Sequence, residues 1–144
     1  MPNLDETMRG YAEKAVAEAR EGFAITLDFS PASVARVEEM AAAIHARRQR
    51  RLHADEHGDP SPDWGPSEEA DYPQLALALG AYIGEVIRRR WGGAWENPGQ
   101  GARLRVGGED LNPCGLAYFR ITQSHDNLRE YFERVTKKLE GQKA

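Results

Sequence analysis

The sequence predicts an α+β domain in which about four helices surround a small antiparallel sheet. Three features lead to this class. Apolar residues recur at helical spacing in several segments, residues 75–87 are apolar on nearly every side, and two short alternating segments flank a turn at residues 98–101. The sheet is expected to be a β-hairpin or a three-stranded meander. A chain of 144 residues fits one layered domain spanning residues 1–144.

The first two helices are predicted from apolar spacing and from their ends. Residues 4–21 place apolar side chains on one face, and Gly22 is a natural stop. Ser30, followed by a proline, is a good cap for a second helix that should run to about Arg50. The segment between them, residues 23–29, is expected to be extended or to form one edge strand.

A long surface loop is predicted over residues 52–73. Four prolines, two glycines and many acidic residues occur there, and Trp64 is expected to anchor the loop. The central helix should then run from about Tyr72 to Trp91, and its first half is apolar on every side. Such a helix is expected to be buried.

Two glycines interrupt this central helix one turn apart. Gly80 and Gly84 each cost roughly 1 kcal/mol relative to alanine, so a close neighbouring element is expected to compensate. In particular, Gly84 is expected to touch the backbone or a small side chain of that element. Glu85 lies opposite the main apolar stripe and is expected to be partly buried if the other side of the helix is also covered.

The second half of the chain is predicted to hold the sheet and the remaining helices. Residues 94–97 and 102–106 are expected to pair as strands, with a third strand starting near residues 110–111. Residues 116–121 fit either a strand or a short helix, and the preceding Asn-Pro pair favours the helix. Ser124 is the expected cap of a last helix with one clear apolar face.

Composition excludes several classes of protein. Hydrophobic residues make up 40% and charged residues 29%, as in soluble globular proteins. The single cysteine, Cys114, excludes an internal disulfide and fits a reducing compartment. The N-terminus lacks the apolar stretch of a signal peptide, and the longest apolar run is far shorter than the ~20 residues of a membrane span. We therefore expect a cytoplasmic protein without a membrane partner.

The charge is unevenly distributed. The net charge is −4, and this value gives no general attraction to nucleic acid. Residues 1–72 carry 8 basic and 15 acidic side chains, whereas residues 73–144 carry 11 and 8. Two arginine clusters lie at predicted helix C-termini, where cations are favourable. They are Arg47, Arg48, Arg50 and Arg51 in the first cluster, and Arg88, Arg89 and Arg90 in the second.

The best candidates for metal ligands are His53 and His57, which lie four residues apart with acidic residues between them, together with His45 in the preceding predicted helix. They are the basis of an alternative hypothesis, a metal-dependent or hydrolytic enzyme. Their spacing does not reproduce a known zinc motif, and the surrounding segment is rich in proline and glycine. A solvated polar loop is therefore the favoured interpretation, and neither a metal nor a cofactor is expected.

No catalytic residue is predicted. No serine or cysteine occurs in a nucleophile motif, and Cys114 is expected to fill the core. Three acidic residues, Asp28, Glu38 and Glu85, provide an acid pair only if the fold brings them together. Ordinary surface acids are the favoured interpretation.

Two tryptophans, Trp91 and Trp95, flank the glycine pair that ends the central helix, and arginines lie on both sides. This composition is typical of single-strand nucleic-acid grooves, but also of a helix-to-hairpin corner packed by two indoles, which we favour. At least one indole is expected to be buried against the last helix, and the other to be available to a partner. The predicted binding residues are Trp91, Trp95, Arg88, Arg103, Arg105 and Glu85.

Three segments resemble a family of small uncharacterised bacterial proteins, grouped as a domain of unknown function. They are LDFSPASVARVEEM with its LDFS-x-x-S helix start, LGAYIGEVIRRRWGGAW with its helix–GG–W pattern, and LNPCGLAYFRI. The resemblance covers roughly residues 27–135 and implies helices around a small antiparallel sheet. It implies no established activity, cofactor or catalytic residue. Some proteins of this kind belong to a wider group of immunity or partner-binding domains. Cys114 departs from the pattern, since an aromatic residue is expected there.

These observations predict a small cytoplasmic bacterial binding module, immunity-like or accessory, whose partner is another protein. The metal-dependent enzyme is the first alternative. A weak nucleic-acid binder acting through the arginine clusters is the second.

Overall fold

The computed structural model describes residues 3–56, 68–97, 99, 101–123 and 127–143. Within these residues, five helices and a three-stranded antiparallel sheet confirm the predicted α+β class. No helix in this part of the chain is long and apolar enough to cross a bilayer. The elements are α1 Leu4–Phe23, α2 Val34–Glu56, α3 Glu68–Trp91, β1 Ala94–Glu96, β2 Arg103–Val106, β3 Glu109–Leu111, α4 Pro113–Gln123 and α5 Leu128–Lys143.

Helix α3 lies at the centre of the fold. Its most extensive contacts are with α1 and α4, and all of residues 78–87 are buried. The burial confirms what the apolar composition of this helix predicts. Glu85, which is 0% exposed, is the one charged residue among residues 78–87.

Each of the two glycines of α3 leaves room for a different neighbouring residue. A Cβ atom at Gly80 would overlap the backbone of Cys114, so α3 and α4 approach each other closely there, as predicted. A Cβ atom at Gly84 would overlap the indole ring of Trp95. The expectation of a backbone or small side chain at Gly84 is therefore wrong. The missing side chain provides a flat surface on which a large ring packs.

The contact at Gly80 leads to a testable prediction. Gly80→Ala should destabilise the protein by about 1–3 kcal/mol, because the new methyl group meets backbone atoms of Cys114 that cannot rotate away. Gly10→Ala is the matched control. It lies within α1 with nothing within 4 Å of a new Cβ, and should stabilise by about 0.4–1 kcal/mol. Urea unfolding followed by circular dichroism measures both changes. Equal stability of the two variants would contradict the close approach of α3 and α4.

A hydrogen-bonded network joins the start of α2 to α3. The Ser33 hydroxyl lies 2.6 Å from the hydroxyl of buried Tyr82, which also accepts the Phe29 N–H at 2.7 Å. Ser30 caps the turn that precedes α2, and Asp28 accepts hydrogen bonds from Ser30. Phe29 has a positive φ of 62°, which this network holds in place. The LDFS-x-x-S segment therefore serves to attach α2 to the central helix.

The sheet is a three-stranded meander with strand order β1-β2-β3. Both strand pairs are antiparallel, and Trp95 and Leu111 lie on either side of Leu104. The inward residues of β2, Leu104 and Val106, are buried, whereas Arg103 and Arg105 alternate with them. This alternation confirms the predicted second strand with one buried face.

The predicted loop over residues 52–73 is wrong at both ends, because α2 and α3 extend into it. Tyr72 is buried, and the guanidinium carbons of Arg48 and Arg51 each lie 5.8 Å from its ring centre. This packing favours the helix at a position where Pro73 removes a backbone hydrogen bond. The first arginine cluster consequently lies inside α2 and not at its end.

Two other element ends differ from the prediction. Helix α1 passes through Gly22 and ends where Ala24 adopts the left-handed conformation, with φ at 54°. Asn127 accepts a 3.1 Å hydrogen bond from the Glu130 N–H and so caps α5. Ser124 and Trp64 lie outside the described residues. Residues 116–121 lie in α4, so the helix was the better of the two alternatives.

Candidate functional site

Trp95 is held inside the corner where α3 leads into the sheet. Its side chain lies over Gly84, and the residue is only 5% exposed. The indole Nε1 donates a 3.1 Å hydrogen bond to Glu85, and the backbone N–H donates one of 2.9 Å to Asp5. The expected burial of one tryptophan is confirmed. Its contacts are with α3 and α1, however, whereas we expected the last helix.

The buried carboxylate of Glu85 is neutralised from within the same helix. Arg88 donates two hydrogen bonds to it, at 2.7 Å from Nε and 3.2 Å from Nη2. The hydrogen bond with Glu85 also raises the pKa of Arg88, so the guanidinium stays charged. Buried Glu85 thus contacts two other predicted binding residues, Trp95 and Arg88. This geometry stabilises the corner.

Trp91 lies on a different side of the molecule and is partly exposed. Its Nε1 donates a 3.1 Å hydrogen bond to Glu140 of α5, and the Arg90 guanidinium carbon lies 5.4 Å from the ring centre. A shallow cleft of about 350 Å³ lies beside this ring, and its lining includes Trp91, Phe132 and Pro31. The two tryptophans therefore form no common patch.

The two predicted arginines of the sheet are engaged with neighbouring strands. Arg103 lies 3.0 Å from Asp110, and Arg105 lies 3.8 Å from Glu96. In α3, Arg89 stacks over the ring of Phe29, 3.6 Å from its centre. These cations thus contact residues of the same chain, and because Trp95 is buried, the interleaved aromatic and basic residues do not all lie on one surface.

The candidate metal ligands do not converge in the described part of the chain. His53 is exposed near the end of α2, and His57 lies outside the described residues. His45 is hydrogen-bonded to the Ile121 carbonyl at 2.7 Å. Among the described residues, no group of three or more histidine, cysteine, aspartate or glutamate side chains is arranged to hold a metal ion.

Neither the cysteine nor the three acidic residues form a catalytic arrangement. Burial raises the pKa of Cys114 to about 12, so its thiolate is not populated near neutral pH. Glu38 binds Arg120 at 2.6 Å and also accepts the Leu128 N–H at 2.9 Å. Asp28 accepts hydrogen bonds from Ser30, and Glu85 has the partners described above. Each acid thus serves a separate structural contact.

Helix α4 presents two adjacent aromatic rings to solvent, and sequence reasoning missed them. Tyr118 is 39% exposed and Phe119 is 45% exposed, with ring centres 6.3 Å apart. Ala117 and Ile121 take the inward positions of the same helix. The sequence contains a signal for this exposure. If residues 116–121 form a helix that buries Ala117 and Ile121, the helical period places Tyr118 and Phe119 on the outer side.

A groove lies beside these rings, between α4, α5 and the sheet. We call it the α4–α5 groove, and its volume is about 350 Å³. Helix α4 contributes Leu116 and Phe119, and α5 contributes an apolar floor and a basic rim. The remaining wall comes from β3 and from Arg103 of β2. The α5 residues that line the groove are Tyr131, Arg134, Val135 and Lys138.

The chain matches no protein-family model, and no curated protein or solved structure matches it significantly.

Proposed function

We propose that the protein is a small cytoplasmic binding module that recognises another protein through α4 and the α4–α5 groove. The observation that carries the proposal is the pair of adjacent exposed rings, Tyr118 and Phe119, beside this groove. Aromatic residues and arginine are enriched at protein interfaces and at their energetic hot spots. A surface helix normally exposes polar residues, so two outward rings on α4 favour a role in contact with a partner.

The interior of the protein supports a binding role over a catalytic one. The buried ionic groups that sequence reasoning singled out, Glu85 and Glu38, are both matched by arginines of the same chain. The resemblance to a family of small bacterial proteins with immunity-like or accessory members agrees with this proposal. A bacterial origin and membership of that family belong to the proposal as well.

Site-specific photo-cross-linking in the source cells tests the proposal. A photoreactive amino acid replaces Phe119 in one variant, Trp91 in a second and Arg9, an exposed residue of α1, in a third. We expect a discrete cross-linked protein from position 119 and none from position 9. Cross-linking from position 91 alone would move the binding surface to the Trp91 cleft. The same pattern from positions 119 and 9 would contradict a specific binding surface.

A further inference from the structure

We infer that the α4–α5 groove takes an acidic protein segment that carries large apolar side chains. This inference rests on the proposed binding function and adds the chemistry of the partner. Two observations support it. Some charged side chains of the groove remain available to a ligand, and apolar residues lie between them.

The carboxylates of the groove lie on the sheet side and already have partners. Asp110 lies 3.0 Å from the guanidinium of Arg103. Glu109 accepts a hydrogen bond from the side-chain amide of Gln142 at 3.4 Å. A ligand in the groove therefore meets a wall whose negative charge is partly compensated.

The cations of the α5 rim are in a different situation. Arg134 and Lys138 lie one helical turn apart, and within the described part of the chain neither forms an ion pair. The guanidinium carbon of Arg134 lies 5.8 Å from the ring centre of Tyr131, a contact that places it at the groove wall. Two adjacent cations on one rim are suited to a segment with carboxylates at a similar spacing.

The apolar side chains between the two walls require an apolar partner. Tyr131 and Val135 are buried at the floor, while Phe119 is 45% exposed at the entrance. A ligand with only acidic side chains would make no apolar contact with the Phe119 ring and would gain little binding free energy there. A ligand with a leucine or phenylalanine between its carboxylates would bury this ring and also reach the rim.

The two cations of the α5 rim differ in sign from the net charge of the chain. The chain carries a net charge of −4, which repels an acidic partner at long range. Local cations beside an exposed aromatic ring offset that repulsion at this place. A nucleic-acid backbone is a poorer fit, because it carries a phosphate at every nucleotide and would bring some of them against Glu109 and Asp110, whereas a peptide can place uncharged residues there.

Binding of three synthetic peptides to the full chain tests the inference. The first has the sequence EELFEELFEE, the second replaces every glutamate with lysine, and the third replaces every leucine and phenylalanine with serine. Fluorescence anisotropy measures Kd at about 0.05 M and about 0.5 M salt, where screening lengths differ several-fold. We expect the first peptide to bind at least tenfold more tightly than the other two at low salt. Its advantage over the lysine peptide should shrink at high salt.

Matched charge reversals locate the binding. Arg134→Glu with Lys138→Glu should weaken binding of the first peptide at least tenfold. Arg9→Glu with Arg20→Glu changes the net charge equally on exposed residues of α1 and should leave Kd within about twofold. Phe119→Ser should weaken the first peptide and spare folding, because this ring is exposed. Equal effects of the two double reversals would overturn the inference.

The remaining outcomes separate the inference from the proposed function. Tighter, Phe119-dependent binding of the lysine peptide would overturn the acidic chemistry and leave the binding function standing. Absence of binding by all three peptides would also overturn the inference, and the cross-linking from position 119 would then decide the binding function by itself. Tighter binding of single-stranded oligothymidylate than of the first peptide would replace both proposals with nucleic-acid recognition.

Discussion

Trp95→Ala is expected to lower the free energy of unfolding by about 3–5 kcal/mol. The substitution opens a cavity over Gly84, and it removes one of the donors that satisfy the buried carboxylate of Glu85. Urea denaturation of the full chain measures the change. Trp95→Phe should lie between the parent and the alanine variant, because it retains a ring but loses the N–H donor.

Trp91→Ala is the matched control for this prediction. The indole of Trp91 is partly exposed and its hydrogen bond is to Glu140, which is itself exposed, so the expected loss is only about 1 kcal/mol. Equal losses from the two alanine variants would contradict the assignment of Trp95 to the core and of Trp91 to the surface.

Glu38→Ala is the second substitution with a large expected effect. Removing one partner of a buried ion pair costs about 3–5 kcal/mol, because the other charge is left without compensation. Glu38 is held by Arg120 at 2.6 Å, and it also satisfies the Leu128 N–H at the start of α5. Loss of this carboxylate therefore weakens the junction of α2, α4 and α5 at once. Thermal and urea unfolding should both show it.

A double-mutant cycle separates the pair from its surroundings. Glu38→Leu and Arg120→Met should each destabilise alone, whereas the double variant with both changes should cost less than the sum of these two single changes. The exposed pair of Arg129 and Glu133, 3.8 Å apart, is the control, and Glu133→Ala should change stability by less than about 1 kcal/mol. Additive effects at Glu38 and Arg120 would show that the two charges do not act as one unit.

Local patterns predicted most of the helices and strands. The alternation in residues 102–106 predicted the strand, because it depends on periodicity within one segment. Glu85 was expected to be partly buried only if the other side of α3 was covered, and a surface acid was the favoured interpretation, so its complete burial was not predicted. The start of α3 was predicted about one turn too late, near Tyr72 and not at Glu68, because it depends on contacts between distant segments. Tyr72 is stabilised by arginines of α2, and a contact between distant segments leaves no local signal to outweigh Pro73.

The residues of the predicted binding site lie apart in the structure for the same reason. Trp91 and Trp95 are four residues apart in sequence, but the glycine pair between them turns the chain, so one ring packs inside and the other faces α5. The segments that carry the family resemblance contact one another in the interior, as shown by Ser33 with Tyr82 and by Glu38 with Arg120. Those segments thus contribute contacts of the interior, and they contain little information about the surface of α4.

The hydrogen bond from the Trp95 backbone to Asp5 has a consequence for aggregation. Strand β1 is at the edge of the sheet, and an edge strand with unpaired amides can recruit strands from other molecules. The carboxylate of Asp5 accepts the hydrogen bond of the amide at the middle of this three-residue strand. Its negative charge also disfavours the approach of an acidic chain. The first turn of α1 therefore covers the amide at this edge of the sheet. If that turn loosened without global unfolding, we expect the Trp95 N–H to become available to a strand of another molecule.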